Sequence, residues 1–92
     1  MASVTIPPVR AFSHVAPDKD QALKPLEEAA EVFGAWQSTH LPEDRRREQI
    51  LFECADVIQA TCNLLAALDV TDMTEAMAAC ERRNEERGRY GD

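Results

Sequence analysis

The chain has 92 residues, enough for one domain with a small core. Its 17 acidic and 10 basic residues give a net charge of −7, which argues against general binding to a nucleic-acid backbone, although a metal cation can bridge an acidic protein to a nucleotide. No apolar run approaches the roughly 18 residues of a membrane span, and the N-terminal segment with Pro7, Pro8 and Pro17 has no apolar h-region of a signal peptide.

The three cysteines, Cys54, Cys62 and Cys80, are odd in number and form no close Cys-x-x-Cys pair. Cys54 and Cys62 fall in one predicted helix, roughly 12 Å apart along its axis, too far for a disulfide. Buried, reduced thiols in a cytoplasmic protein are the expectation. A small core without staples makes oligomerisation the expected source of further buried area.

In chain order, residues 1–17 read as an extended arm. Val4, Thr5 and Ile6 suit a short strand, which Pro7-Pro8 would end. Asp18 to Lys24 is a helical lead-in to Pro25. Either the first helix starts at Lys24 with Pro25 at its first position, or the helix kinks there. From Leu26 to Gln37 the pattern is helical, with Leu26, Ala29, Ala30, Phe33 and Trp36 on one stripe. Ser38 to Pro42 is a loop. A second helix is predicted from about Glu43 to Leu68. Its stripe is Ile50, Cys54, Val57, Thr61, Leu64 and Leu68, widened by Leu51, Ile58 and Leu65, a width that implies burial against more than one neighbour. Asp72-Met73-Thr74-Glu75 fits a capping box. A third helix follows from about Met73 to Arg87, with Met73, Ala76, Met77 and Cys80 inward and Gly88 as its stop. The fold class is therefore all-α: an antiparallel helical hairpin plus a third helix, assembling into an oligomeric bundle.

Two acidic pairs carry the chemistry. Glu28 and Glu31 share a face of the first helix, and Glu53 and Asp56 share a face of the second. The second pair lies inside the most apolar helix, where isolated carboxylates are costly to desolvate. Packed antiparallel, the two helices bring four carboxylates together, and like charges at that range need a counter-charge. An all-oxygen shell suits magnesium or manganese. Acidic pairs at this spacing are also common on solvated helix faces, and the apolar surroundings of the second pair are what favour ligation. His14 and His40 complete no Glu-x-x-His, so the di-iron carboxylate pattern fails.

Glu28-Ala29-Ala30-Glu31 followed by Glu53-Cys54-Ala55-Asp56 resembles the Glu-x-x-Glu…Glu-x-x-Asp signature of the MazG-like, all-α nucleoside triphosphate pyrophosphohydrolases. Lys24-Pro25-Leu26-Glu27-Glu28 is similar to that family's lysine-bearing approach to the first pair, and Asp56-Val57-Ile58 to its Asp-Val-apolar continuation. Pro25 departs from the family's uninterrupted helix. The resemblance spans about residues 20–90 and implies that residues 18–92 form such a domain, whereas the arm at 1–17 resembles nothing in it. It further implies that Glu28, Glu31, Glu53 and Asp56 bind magnesium and act catalytically. A water would attack the α-phosphorus and release a nucleoside monophosphate and pyrophosphate, a reaction that serves nucleotide-pool cleansing. Dimers or tetramers with sites drawn from more than one chain are implied as well, with neither a nucleic-acid polymer nor a membrane as partner.

By the same resemblance Arg83, Asn84 and Arg87 are substrate-contact candidates. A solvated helix end, where cations meet the helix dipole, is the alternative. Lys24 either reaches a phosphate or balances Glu27 and Glu28. Trp36 lines a base pocket or, with more weight, a core or interface. Arg45, Arg46 and Arg47 are expected to pair with Glu43, Asp44 and Glu48 rather than with phosphate. Two further readings stand beside the first: a phosphoribosyl-ATP pyrophosphohydrolase of the same superfamily, and a non-catalytic helical dimerisation module.

Overall fold

The structure, a computed structural model, describes residues 2–91. It contains three helices and, among the described residues, no strand: α1 (Lys19–Trp36), α2 (Glu43–Ala67) and α3 (Thr74–Glu86). The segment Val4–Ile6 forms no strand among the described residues, and Val4 is 88% exposed.

Helix α1 starts at Lys19 because Asp18 caps it, its carboxylate accepting from the Gln21 N–H at 2.9 Å. The helix runs through Pro25. Proline has no N–H, so the Gln21 carbonyl loses its usual acceptor role four residues back. The loop is short, and Arg46 closes the hairpin by donating from Nε to the Trp36 carbonyl at 2.8 Å, while a guanidinium nitrogen donates to Glu43 of its own helix at 2.9 Å. The predicted pairing of the early arginines with nearby acids thus holds for Arg46.

Helix α2 ends with Asp69 in the left-handed region at φ 61°. Val70 N–H donates to the Leu65 carbonyl and Asp69 N–H to that of Ala66, a Schellman arrangement. Helix α3 ends the same way around Gly88, at φ 69°, with Arg89 N–H on the Asn84 carbonyl. The expected capping box at its start is replaced by a tighter turn. Asp72 accepts from both the N–H and the hydroxyl of Thr74, at 2.9 and 2.6 Å, and Met73 takes the cap position. A carboxylate two residues ahead of Thr74 satisfies the first free N–H directly, so Glu75 has nothing to reach back for.

The hairpin is formed by α1 against α2, whereas α3 packs on neither. The least exposed positions of α1 are Gln21, Pro25, Glu28, Val32 and Ala35, the spacing of a coiled-coil seam. Across it lie Arg46, Glu53, Asp56, Ala60 and Asn63, all buried or half-buried. The seam therefore takes in six polar residues, Gln21, Glu28, Arg46, Glu53, Asp56 and Asn63. The predicted apolar stripe of α1 points elsewhere, and Leu26, Phe33 and Trp36 are 67, 61 and 57% exposed. Leu51, Phe52 and Leu68 of α2 and Met77 of α3 are likewise exposed. The three cysteines are free and half-buried rather than buried.

The chain is correspondingly open. Its radius of gyration is 15.5 Å, against about 12 Å for a compact domain of this length. It exposes 7784 Å², against about 5,400 Å² for a compact monomer of this mass. By length and composition α2 is also apolar enough to cross a membrane, which corrects the expectation of no such run. That expectation counted uninterrupted apolar residues, whereas α2 is apolar only on average, with Glu53, Asp56, Gln59 and Asn63 within it. Carboxylates at a bilayer centre are costly, and these two face the seam with α1.

Candidate metal centre and adjoining cavity

Glu28 from α1 meets Glu53 and Asp56 from α2, with one carboxylate oxygen of each within 4.8 Å of the others. All three are half-buried. The antiparallel hairpin is what joins them, since Glu53 and Asp56 are separated by three residues on one helix face and Glu28 lies opposite. Of the four predicted acids, Glu31 stands apart. It is exposed and outside this group, although its charge still acts on Glu53. Partial desolvation, and then the charges of Asp56, Glu31 and Glu28, push the Glu53 carboxyl above the usual carboxylate range.

The donor set is all-oxygen, anionic and drawn from two rigid helices. It fits a hard divalent cation such as magnesium or manganese, with room for water in its shell.

Beside the acids lies a cavity of about 510 Å³, within the range of small-molecule sites. Glu28, Asp56 and Lys24 line it together with Gln59 and Asn63 of α2 and Phe12 and His14 of the arm. Lys24 lies 3.9 Å from Glu27, an exposed pair, so both readings of this lysine meet at one side chain. The arm is fastened to α2. Phe12 N–H donates to Asn63 Oδ1 at 3.0 Å, and Gln59 Nε2 donates to the Arg10 carbonyl at 3.0 Å and to Asn63 Oδ1 at 3.1 Å.

Arg83, Asn84 and Arg87 are not brought to this site within one chain, because α3 packs on neither hairpin helix. Asn84 instead donates to Cys80 Sγ at 3.5 Å, one turn back. Trp36 does not line the cavity and carries Arg46 on its ring. Sequence reasoning passed over Gln59 and Asn63. Their signal was there: two carboxamides one turn apart in an apolar helix, which need partners if buried. Phe12 and His14 left no comparable signal, because nothing local says where an extended arm will lie.

No model of a known protein family, no curated protein and no solved structure matches this chain.

Proposed function

We propose that the chain is a magnesium-dependent nucleoside triphosphate pyrophosphohydrolase. The observation that carries this reading is the convergence of Glu28, Glu53 and Asp56 from two helices, with Glu28 and Asp56 also lining a nucleotide-sized cavity. The resemblance of the acidic motifs to the MazG-like signature supports it. Magnesium held there would offset the charge of a triphosphate and polarise its phosphoryl oxygens. Lys24, which lines the same cavity, would hold a phosphate there. A carboxylate of this cluster would accept the proton of a water attacking the α-phosphorus. The bond from that phosphorus to the bridging oxygen breaks, and pyrophosphate leaves.

The working form is a homo-oligomer in this reading. The chain exposes roughly 2,400 Å² more than a compact monomer of its mass would, an excess on the scale of an obligate interface. The apolar faces of α1 and α2 supply the surface, and a partner's α3 would bring Arg83, Asn84 and Arg87 to the acids. The same faces favour a second reading, a helical dimerisation module without turnover. Pyrophosphate release, assayed with magnesium across canonical, deoxy and modified triphosphates, separates the two. The first reading expects turnover of at least one triphosphate and its loss in Glu53→Gln. Turnover confined to phosphoribosyl-ATP would assign the related activity. An oligomer silent on all of them would assign the module.

A further inference from the structure

We infer that the N-terminal arm is the nucleoside-holding wall of the cavity, with Phe12 covering the base and the carboxamides of Asn63 and Gln59 reading its edge. The orientation of the ligand rests on the proposed phosphate chemistry at Glu28, Glu53 and Asp56. The wall itself rests on other observations.

Asn63 is 4% exposed, the most buried polar residue among those described, and it lines the cavity. Its Oδ1 faces the backbone N–H of Phe12. A backbone N–H can only donate, so the atom it meets must be the amide oxygen, and the orientation of the carboxamide follows. The NH2 of Asn63 then donates to no group among the described residues. Gln59 is oriented by the same logic. Its Nε2 is occupied by the Arg10 carbonyl and by Asn63 Oδ1, which leaves its Oε1 as an acceptor. Asn63 thus offers a donor and Gln59 an acceptor, one helical turn apart on a cavity wall. Nucleobase edges carry the complementary acceptor–donor pairs.

The spacing agrees. Gln21 and Asn63 lie seven positions along their helices from Glu28 and Asp56, about 10 Å at the rise of an α-helix. A triphosphate gripped by the acids would extend its nucleoside along the seam to the arm. There Phe12 is 64% exposed while its backbone N–H is held by Asn63. A held backbone with an open ring suits stacking, because little freedom is left to lose. His14 lines the same stretch.

The test is NMR of the full chain in magnesium, titrated separately with a panel of nucleoside monophosphates and with pyrophosphate. A nucleoside monophosphate should shift the amides of Phe12 to Ala16 and the side-chain NH2 of Asn63. Pyrophosphate should shift signals around Glu28, Glu53 and Asp56 and leave the arm alone. Phe12→Ala, at an exposed ring, should weaken monophosphate binding about tenfold without changing that of pyrophosphate. Asn63→Asp keeps the acceptor for Phe12 but removes the donor, and should weaken it as well. The inference is overturned if no nucleoside monophosphate binds, if one binds without moving the arm, or if Phe12→Ala binds as wild type. Turnover with an unchanged KM in Phe12→Ala would overturn the arm's role and spare the hydrolase. Arm shifts with monophosphate in a chain that releases no pyrophosphate would do the reverse.

Discussion

The guanidinium carbon of Arg46 sits 4.3 Å from the centroid of the Trp36 ring while its Nε donates to the carbonyl of the same residue. One side chain therefore ties the end of α1 to the start of α2 through both the backbone and the ring. The Arg46 side chain is only 12% exposed in spite of its charge. The hydrogen bond and the cation–π contact together account for an arginine in the first turn of α2, where the helix dipole disfavours it. Arg46→Ala should destabilise the hairpin by about 1–3 kcal/mol. Urea unfolding followed by Trp36 fluorescence checks this, and an unchanged midpoint would show that the contact contributes nothing.

The crowded carboxylates make an opposite prediction. Glu53→Gln and Asp56→Ala should leave the metal-free fold intact or raise its melting temperature, since each removes a charge that its neighbours oppose. Magnesium should raise the melting temperature of wild type and not of Asp56→Ala. Under the proposed activity, Glu53→Gln should also lower pyrophosphate release by about 10²–10⁴-fold. Calorimetry with and without magnesium decides the first two points.

The pH dependence follows from the same group. The Glu53 carboxyl is raised in the folded chain, so between its unfolded and folded titrations the native state binds more protons than the unfolded one. Glu53 therefore costs the metal-free chain stability as pH rises through that window, and the cost vanishes below it. Asp72 acts in the opposite sense. Hydrogen bonds from Thr74 lower its carboxyl, so its contribution is present above the ordinary aspartate range and is lost on acidification. In Glu53→Gln the downward trend above pH about 4.5 should flatten. Melting temperatures measured across pH 3 to 8 without metal would show it, and an identical profile in both proteins would refute it.

Asp69 pays for the left-handed turn after α2. At φ 61° its side chain is tolerated but strained relative to glycine. Asp69→Gly should stabilise the chain by about 0.5–1 kcal/mol, read from denaturant midpoints. A loss of stability would mean that the aspartate side chain contributes more than the turn costs.

The exposed stripe of α1 gives the test of assembly. Sedimentation should show wild type well above its 10.3 kDa chain mass. Charges placed at Leu26 and Phe33 (Leu26→Glu with Phe33→Glu) should dissociate it without removing the hairpin's helicity. A wild-type chain that sediments as a monomer would refute the assembly outright.

Three helices, the limits of α2 and α3 and the two acidic motifs were legible from residue order alone, whereas the start of α1 was left open at Pro25. Those features are written locally, in periodicity, in Pro42, in Gly88 and in Asp69 and Asp72 around the turn after α2. The direction each helix faces was not. Apolar stripes on α1 and α2 read as a core, yet the hairpin closes along Gln21, Glu28, Asp56 and Asn63, which leaves the α1 stripe outward and most of the α2 stripe only half-buried. A stripe says that a face wants cover; it does not say whether the same chain supplies it. Which of four acids gather, and that Phe12 and the arm wall the cavity, depended likewise on how α1 and α2 meet and on two carboxamides that hold the arm. Such long-range contacts have no local signature in the chain, so only the tertiary structure decided them.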